Sequence, residues 1–376
     1  MFSSIYYRLK NIFLLLKNSH DLVFAPTYYP DYELKSRFSV FRDQLYFILK
    51  YGTYEPFYFA YGFDRKELTI GRICSEYIIP YYYFQNKINS LNTVNPYYGK
   101  YNGRTITADK FYFGIFLDKL GFPTPKIYCY IRKGKILFIA DEFKSLDELT
   151  DDDKLSSLLS SNIDAFAKPS DGQLGIGVFS LKVENNIIYK DNTEISLAEL
   201  KRILYSGDYL IQERIIQHPK LSALCSSSLN SIRLQTIMTE SGEVLPFAPG
   251  LRIGREGSTV DNWAKGGIFV GINLLTGKLN DTGFIKPIYG TSTNYHLDSK
   301  IVFKDYEIPF FKDAVSLAVQ LHQRMYRCHS IGWDIAITEH GPVFIEGNGL
   351  WEISLLQAAH GGLKKYERYF KLVSNK

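Results

Sequence analysis

Seventeen residues near the C-terminus, Gly332-Trp-Asp-Ile-Ala-Ile-Thr-Glu-His-Gly-Pro-Val-Phe-Ile-Glu-Gly-Asn348, constrain this chain more than any other segment. Two runs of alternating apolar residues, 333–338 and 342–346, flank a Glu339-His-Gly-Pro342 turn. That pattern predicts a β-hairpin. A turn centred on His340 sets Asp334 directly opposite Glu346, with Asn348 two residues further along the same face. Like charges facing each other on a sheet repel. Three oxygen-bearing side chains on one face suit a hard cation such as Mg²⁺, which takes one or two carboxylates plus substrate phosphates. A solvated sheet face is the ordinary alternative. The metal is preferred because Trp333, Ile335 and Ile337 would bury the opposite face, and Asp, Glu and Asn form strands poorly.

A chain of 376 residues is long for one core, so two or three subdomains are expected. Its 44 Lys and Arg against 39 Asp and Glu give a net charge of +5, with no concentrated basic run that would argue for nucleic acid. Cys74, Cys129, Cys225 and Cys328 form no C-x-x-C pair, so reduced thiols and a cytoplasmic location are expected. The apolar run Ile12–Leu16 is too short for a transmembrane segment, and no small-residue cleavage site follows it. The stretch 5–17 could instead contact a membrane peripherally through Arg8, Lys10 and Lys17, although a helix docked on the protein itself is the preferred reading.

Residues 1 to about 105 are rich in Tyr, Phe and Asn and read as mostly helical. A helix opens near Thr107, a candidate N-cap, and stops at Gly121. Strands are predicted over 126–132 and 136–140, and a polar helix over 145–160 with a surface Asp151-Asp-Asp153 corner. Next come the strand Asp164–Lys168, a glycine loop to Gly177, and the strand Val178–Val183. A helix over 195–205, strands over 209–214, 229–239 and 243–253, further short strands, and an amphipathic helix over 309–327 follow. Strands and helices come in blocks, which predicts an α+β fold with antiparallel sheets.

Several segments carry candidate chemistry. Gly172, Gly175 and Gly177 would let backbone N–H groups approach an anion, although a flexible hairpin looks identical. Lys168 just before the loop could neutralise a phosphate beneath it, and Lys110 sits near a helix start where the dipole mildly disfavours it. Gln212, Glu213, Arg214 and Ile215 end an apolar strand and could border an adenine site; an ordinary strand end is the alternative. Arg233 and Arg252 are embedded in apolar strands, where each needs an anion or a salt bridge. Asp261, Asn262, Gly266 and Gly267 could form a substrate loop or a plain turn.

In this order the motifs resemble the ATP-grasp superfamily over roughly residues 105–365, and Asp334 with Glu346-x-Asn348 looks like the magnesium set of its D-alanine–D-alanine ligase branch. More narrowly, Gln212-Glu-Arg…Gln217-His-Pro219, Ser228-Leu-Asn-Ser-Ile-Arg233, Leu251-Arg-Ile-Gly254, Val260-Asp-Asn262, Gly266-Gly-Ile268 and Gly332-Trp-Asp334 resemble the sugar-transfer-associated ATP-grasp group.

The resemblance implies ATP held between the antiparallel sheets of two α+β subdomains. These would be a small one over 106–215 and a large one over 216–376, after an N-terminal region over 1–105. Lys110 and Lys168 would contact the phosphates, Glu213 to Ile215 the adenine, Gln217 or His218 the ribose, and Asp334, Glu346 and Asn348 the Mg²⁺. The implied reaction activates a carboxylate as an acyl phosphate that an amine then attacks, with ADP and phosphate released. Both substrates would be small molecules or sugar-linked groups, a uronic-acid carboxylate and an amino acid or amino sugar among them. The alternatives are an amino-acid or peptide ligase, and a nucleotide-binding partner of a glycosyltransferase complex without turnover. The recognisable α/β domain that commonly precedes the grasp in the superfamily is not evident in residues 1–105.

Overall fold

The computed structural model describes residues 2–95, 99–100, 103–140, 150–160, 162–170, 177–257, 263, 266–325 and 328–370. The N-terminal region is helical, as its periodicity predicts: α1 (Phe2–Lys17), α2 (Ser19–Leu22), α3 (Arg37–Tyr51), α4 (Ile70–Glu76) and α5 (Tyr81–Thr93). Ser36 and Thr69 cap α3 and α4 by accepting from Ser39 N and Arg72 N, and Gly52, at φ 84°, closes α3 in the left-handed region. The abundant aromatics pack against one another. Phe47, Tyr58, Phe63 and Tyr77 share one buried cluster that also takes in Phe284 and Ala358 from the far end of the chain. A short hairpin, β1 (Val94–Asn95) with β2 (Gly99–Lys100), leads to α6 (Thr105–Ala108) and α7 (Lys110–Lys119).

Thr107 is not the helix cap expected of it. Asp109 breaks the helix at φ −127° and accepts from Phe111 N and Tyr112 N, so a new helix starts at Lys110. A carboxylate is the better partner for the first-turn N–H groups.

After α7 come β3 (Ile127–Arg132), β4 (Lys135–Ile139), α8 (Asp151–Ser160), β5 (Ile163–Pro169), β6 (Phe179–Glu184), β7 (Ile187–Lys190), β8 (Thr193–Ile195), α9 (Leu197–Tyr205) and β9 (Asp208–Glu213). Residues 145–149 of the expected polar helix lie outside the described residues. Strands β3 to β9 form a seven-stranded antiparallel sheet in the order β4-β3-β9-β5-β6-β7-β8, with α8 and α9 buried on one face through Leu155, Leu158, Leu200 and Leu204.

Helix α10 (Pro219–Leu224) leads to the second sheet: β10 (Ser231–Met238), β11 (Val244–Ile253), β12 (Ile268–Ile272), β13 (Leu279–Ile285), β14 (Ser292–Thr293), β15 (Ser330–Thr338) and β16 (Gly341–Asn348). Its order is β14-β13-β12-β11-β10-β15-β16, again antiparallel throughout. Helix α11 (Phe311–Arg324) covers one face, where Ala314, Ala318 and Leu321 meet Ile331, Trp333, Ile335 and Ile337. Helix α12 (Ser354–His360) then returns to the N-terminal region. The architecture is the expected α+β fold with two antiparallel sheets.

Helix α7 packs on both sheets. Phe113 and Leu117 join the core of the second, while Phe111 and Ile115 pack on Ile127, Tyr130 and Leu210 of the first. Its N-terminus is thereby fixed between the two.

Candidate active site

The hairpin of β15 and β16 sets the frame. Asp334 pairs with Glu346, Trp333 with Gly347 and Gly332 with Asn348. The turn is tighter than one centred on His340. Thr338 pairs with Gly341, whose φ of 122° closes a two-residue turn, and Ile345 is the extra residue of a β-bulge between the Asp334 and Ile335 pairs. The bulge takes up the residue that the shorter turn releases, so the expected pair survives. Trp333, Ile335 and Ile337 are fully buried on the α11 side, as alternation requires.

On the opposite face, paired residues extend the row across four strands. Arg233 on β10 lies between Asp334 and Gly250, and Arg252 is two residues beyond Gly250 on β11. Arg252 Nη2 reaches Asp334 Oδ1 at 2.7 Å and Oδ2 at 2.9 Å. Arg233 Nη2 donates to Oδ2 at 3.1 Å, with its Nε 2.7 Å from Oδ1. Asn348 Nδ2 approaches the same Oδ2 at 3.4 Å. Gly332 makes room, since a Cβ there would lie 3.2 Å from Arg233 Nη1 and 3.0 Å from Trp351. Burial pushes the Asp334 carboxyl up to about 6, opposed by Arg252 and the Asn348 amide.

Glu346 stands apart from this clasp. Its carboxylate has no hydrogen-bond or ion-pair partner among the described residues. Burial and Asp334 raise its pKa, while Lys110, Arg252 and Lys168 pull it down. Burial in turn lowers Lys168 to about 8, with Lys110 acting in the same direction and Glu346 against it. Lysines from the first sheet and α7 therefore share one electrostatic field with a carboxylate at the edge of the second sheet.

Three hydrogen bonds between distant segments fix this arrangement. Ser170 Oγ, just beyond β5, donates to Asp109 Oδ2 at 2.7 Å, and Lys110 N donates to Ser170 O at 3.2 Å. The strand carrying Lys168 is thereby tied to the helix carrying Lys110. Gly349 N donates to Thr107 Oγ1 at 3.2 Å, which secures the chain after Asn348. Ser170 was marked by no sequence motif, and Thr107, expected as a helix cap, instead holds the backbone beyond Asn348.

The remaining candidates lie elsewhere. Gln212 is buried and donates to Pro125 O at 3.0 Å. Glu213 accepts from Lys126 N through Oε2 at 3.2 Å, and its own N donates to Lys126 O. Arg214 pairs with Asp164 at 3.4 Å, and Ile215 follows it. Of the two ribose candidates, Gln217 is buried and donates to Cys225 O and Ser228 O, while His218 caps α10 by accepting from Lys220 N. Gly177 is exposed at φ 75°, and Gly266 and Gly267 are buried just before β12. Gly172, Gly175, Asp261 and Asn262 lie outside the described residues.

The sugar-transfer-associated ATP-grasp family matches residues 92–368. The chain belongs to that family. No curated protein matches it. Similar solved structures include D-alanyl-alanine synthetase A from Vibrio cholerae, at 12% identity and TM-score 0.40, covering 71% of this chain and 64% of that one. An N5-carboxyaminoimidazole ribonucleotide synthetase from Thermotoga maritima is similar at 13% identity and TM-score 0.35, over 70% of this chain and 48% of that one. An ADP complex of another such synthetase gives 11% identity and TM-score 0.39, over 68% and 49%. The chain thus spans less than two-thirds of the length of each. This ATP-grasp chain has no helix, among its described residues, long and apolar enough to cross a membrane.

Magnesium suits this donor set in a graded way. The oxygens are hard donors, and Glu346 lacks a protein partner among the described residues. Asn348 directs its Nδ2 at Asp334, which leaves its amide oxygen as an acceptor. Asp334 already pairs with two guanidinium groups, so it acts first as their anchor. The site therefore holds two carboxylates and an amide, and no group of three His, Cys, Asp or Glu side chains is gathered among the described residues.

Proposed function

We propose that this protein is an ATP-dependent, ADP-forming carboxylate–amine ligase that joins an amino acid or amine to a uronic-acid carboxylate in surface-polysaccharide assembly. The single observation that carries the reading is the set of hydrogen bonds, Ser170 to Asp109, Lys110 N to Ser170 O and Gly349 N to Thr107, that ties the segments of Lys168 and Lys110 to the strand end carrying Glu346 and Asn348. Phosphoryl transfer needs positioning and charge neutralisation more than covalent catalysis. Two lysines, two arginines and a carboxylate edge supply both. The family's association with sugar transfer supports the polysaccharide setting.

In this reading residues 106–215 and 216–376 are the small and large subdomains, with ATP between their sheets in the cytoplasm. Lys110 and Lys168 hold the phosphates, together with the loop of Gly172, Gly175 and Gly177. The strand end from Gln212 to Ile215 borders the adenine, with His218 beyond it. Glu346, Asn348 and Asp334 would hold Mg²⁺, which when bound neutralises charge on the phosphate oxygens. Asp334 would aim Arg233 and Arg252 at the reacting phosphoryl group, and Asp261, Asn262, Gly266 and Gly267 would bind the acceptor.

A carboxylate oxygen takes the γ-phosphoryl group and ADP leaves. The amine lone pair then attacks the acyl carbon, phosphate departs with the bonding pair, and the amine proton passes to solvent. No side chain is needed as general base when the amine arrives deprotonated.

The test is ADP release from purified protein with ATP, magnesium, and a panel of carboxylates and amines. The proposal expects turnover only when a uronic acid and an amine are both present. Turnover with amino acids alone, or none with any pair, would overturn it.

A further inference from the structure

We infer that α1 is an interfacial anchor whose outer face lies on an anionic lipid surface. At about 100° per residue, Ile5, Leu16, Leu9, Phe13 and Tyr6 fall within an arc about 100° wide. All five are exposed, Ile5 by 52%, Leu9 by 61% and Phe13 by 64%. The opposite edge does the docking. Leu15 is fully buried, Asn11 Nδ2 donates to Gly52 O at 2.8 Å, and Arg8 Nε donates to Leu49 O at 3.1 Å. The helix is thus held to α3 along one narrow edge, and most of its apolar surface faces outward.

The charges choose the occupant. Lys10 and Lys17 flank the apolar arc on one side and Arg8 flanks it on the other, and the sixteen residues of α1 contain no Asp or Glu. An apolar stripe bordered by cations matches a bilayer interface, with rings and aliphatic chains among the acyl tails and ammonium groups at the phosphates. A second copy pairing through the same face would bring like charges together, which disfavours it. The anchor rests on α1 alone and is independent of whether the ligase reading holds.

The test uses the full chain, sedimented with vesicles of phosphatidylcholine alone or mixed with phosphatidylglycerol. The protein should partition onto the mixed vesicles and much less onto the neutral ones. Leu9→Ser with Phe13→Ser, both solvent-facing, should reduce that binding at least about tenfold without moving the unfolding midpoint. Lys10→Glu with Lys17→Glu should abolish the preference for phosphatidylglycerol. Equal binding by wild type and either variant would overturn the inference. So would a dimer in solution that the Leu9→Ser, Phe13→Ser variant splits while wild type leaves vesicles unbound.

Discussion

Asp334 and Glu346 face each other across β15 and β16, yet their carboxylates serve different partners. Asp334 is clasped by Arg233 and Arg252 on its own sheet, whereas Glu346 takes no such clasp and feels Lys110, Arg252 and Lys168 through space. Two acids at one step of a ladder repel unless something cationic stands between or beside them. Here Arg233 and Arg252 pair directly with Asp334, and Arg252 joins the two lysines in offsetting the charge of Glu346.

Removing Glu346 should separate chemistry from stability. Glu346→Gln deletes a charge that repels Asp334 and takes no hydrogen bond among the described residues, so the unfolding midpoint should stay or rise slightly. ADP release should fall by about two orders of magnitude or more, the scale expected when a group that stabilises transferring phosphate is lost. Wild-type turnover in this variant would refute the role given to its carboxylate.

Asp334→Asn should do the opposite to the fold. It strands two partly buried guanidinium groups, and breaking such a pair from one side costs about 3–5 kcal/mol. Urea unfolding should show a loss on that scale, with activity lost as well. A midpoint like wild type would mean that the clasp adds little to stability.

Lys168 sets a pH dependence. Burial lowers it to about 8, against an ordinary value of 10.5. Its charge is therefore complete below that range and fades as pH rises through about 8. Nucleotide affinity, measured by calorimetry on the free protein, should weaken over the same interval, and Lys168→Met should bind weakly with no such dependence. The sign for folding is reversed, because the unfolded chain holds the extra proton between about 8 and 10.5 and stability there rises with pH.

Beneath the site, His322 is buried and neutral, its pKa pushed down to about 4. Its Nε2 donates to Cys328 O at 2.6 Å, so its Nδ1 accepts from Thr236 Oγ1 at 2.7 Å, and Trp333 Nε1 donates to the same Oγ1 at 2.7 Å. Between pH 6.5 and 4 the unfolded chain binds the proton and the folded one does not, so stability should fall as pH drops through that window. His322→Gln should flatten the part of this slope that belongs to His322, with His360 contributing a similar part. Thr236→Val should cost about 1–3 kcal/mol at neutral pH by leaving buried polar groups unmatched.

Much of the fold was legible because its signals are local. The alternation around Asp334 and Glu346 predicted the hairpin, and the stripe of Ala314, Ala318 and Leu321 predicted α11. Strands β7 and β8 went unread, although Asn185-Asn186 between β6 and β7 and Asp191-Asn192 between β7 and β8, all at positive φ, are the residues that two-residue hairpin turns favour. Thr107 was misread because Asp109, two residues on, breaks the helix and caps a new one by accepting from Phe111 N and Tyr112 N. The clasp on Asp334 could not be read locally: its donors lie 101 and 82 residues away. Ser170 and Asp109 are separated by 61 residues, and no spacing rule joins them.

The bulge at Ile345 carries one more implication. With Phe344 opposite Ile335 and Glu346 opposite Asp334, excising Ile345 would leave every facing couple of the ribbon unchanged. What it would erase is the local coil that such an irregularity adds to a strand. A protein shortened by that single residue would keep its acids in step and lose only their aim, so its turnover would report how far orientation, apart from proximity, governs the reaction.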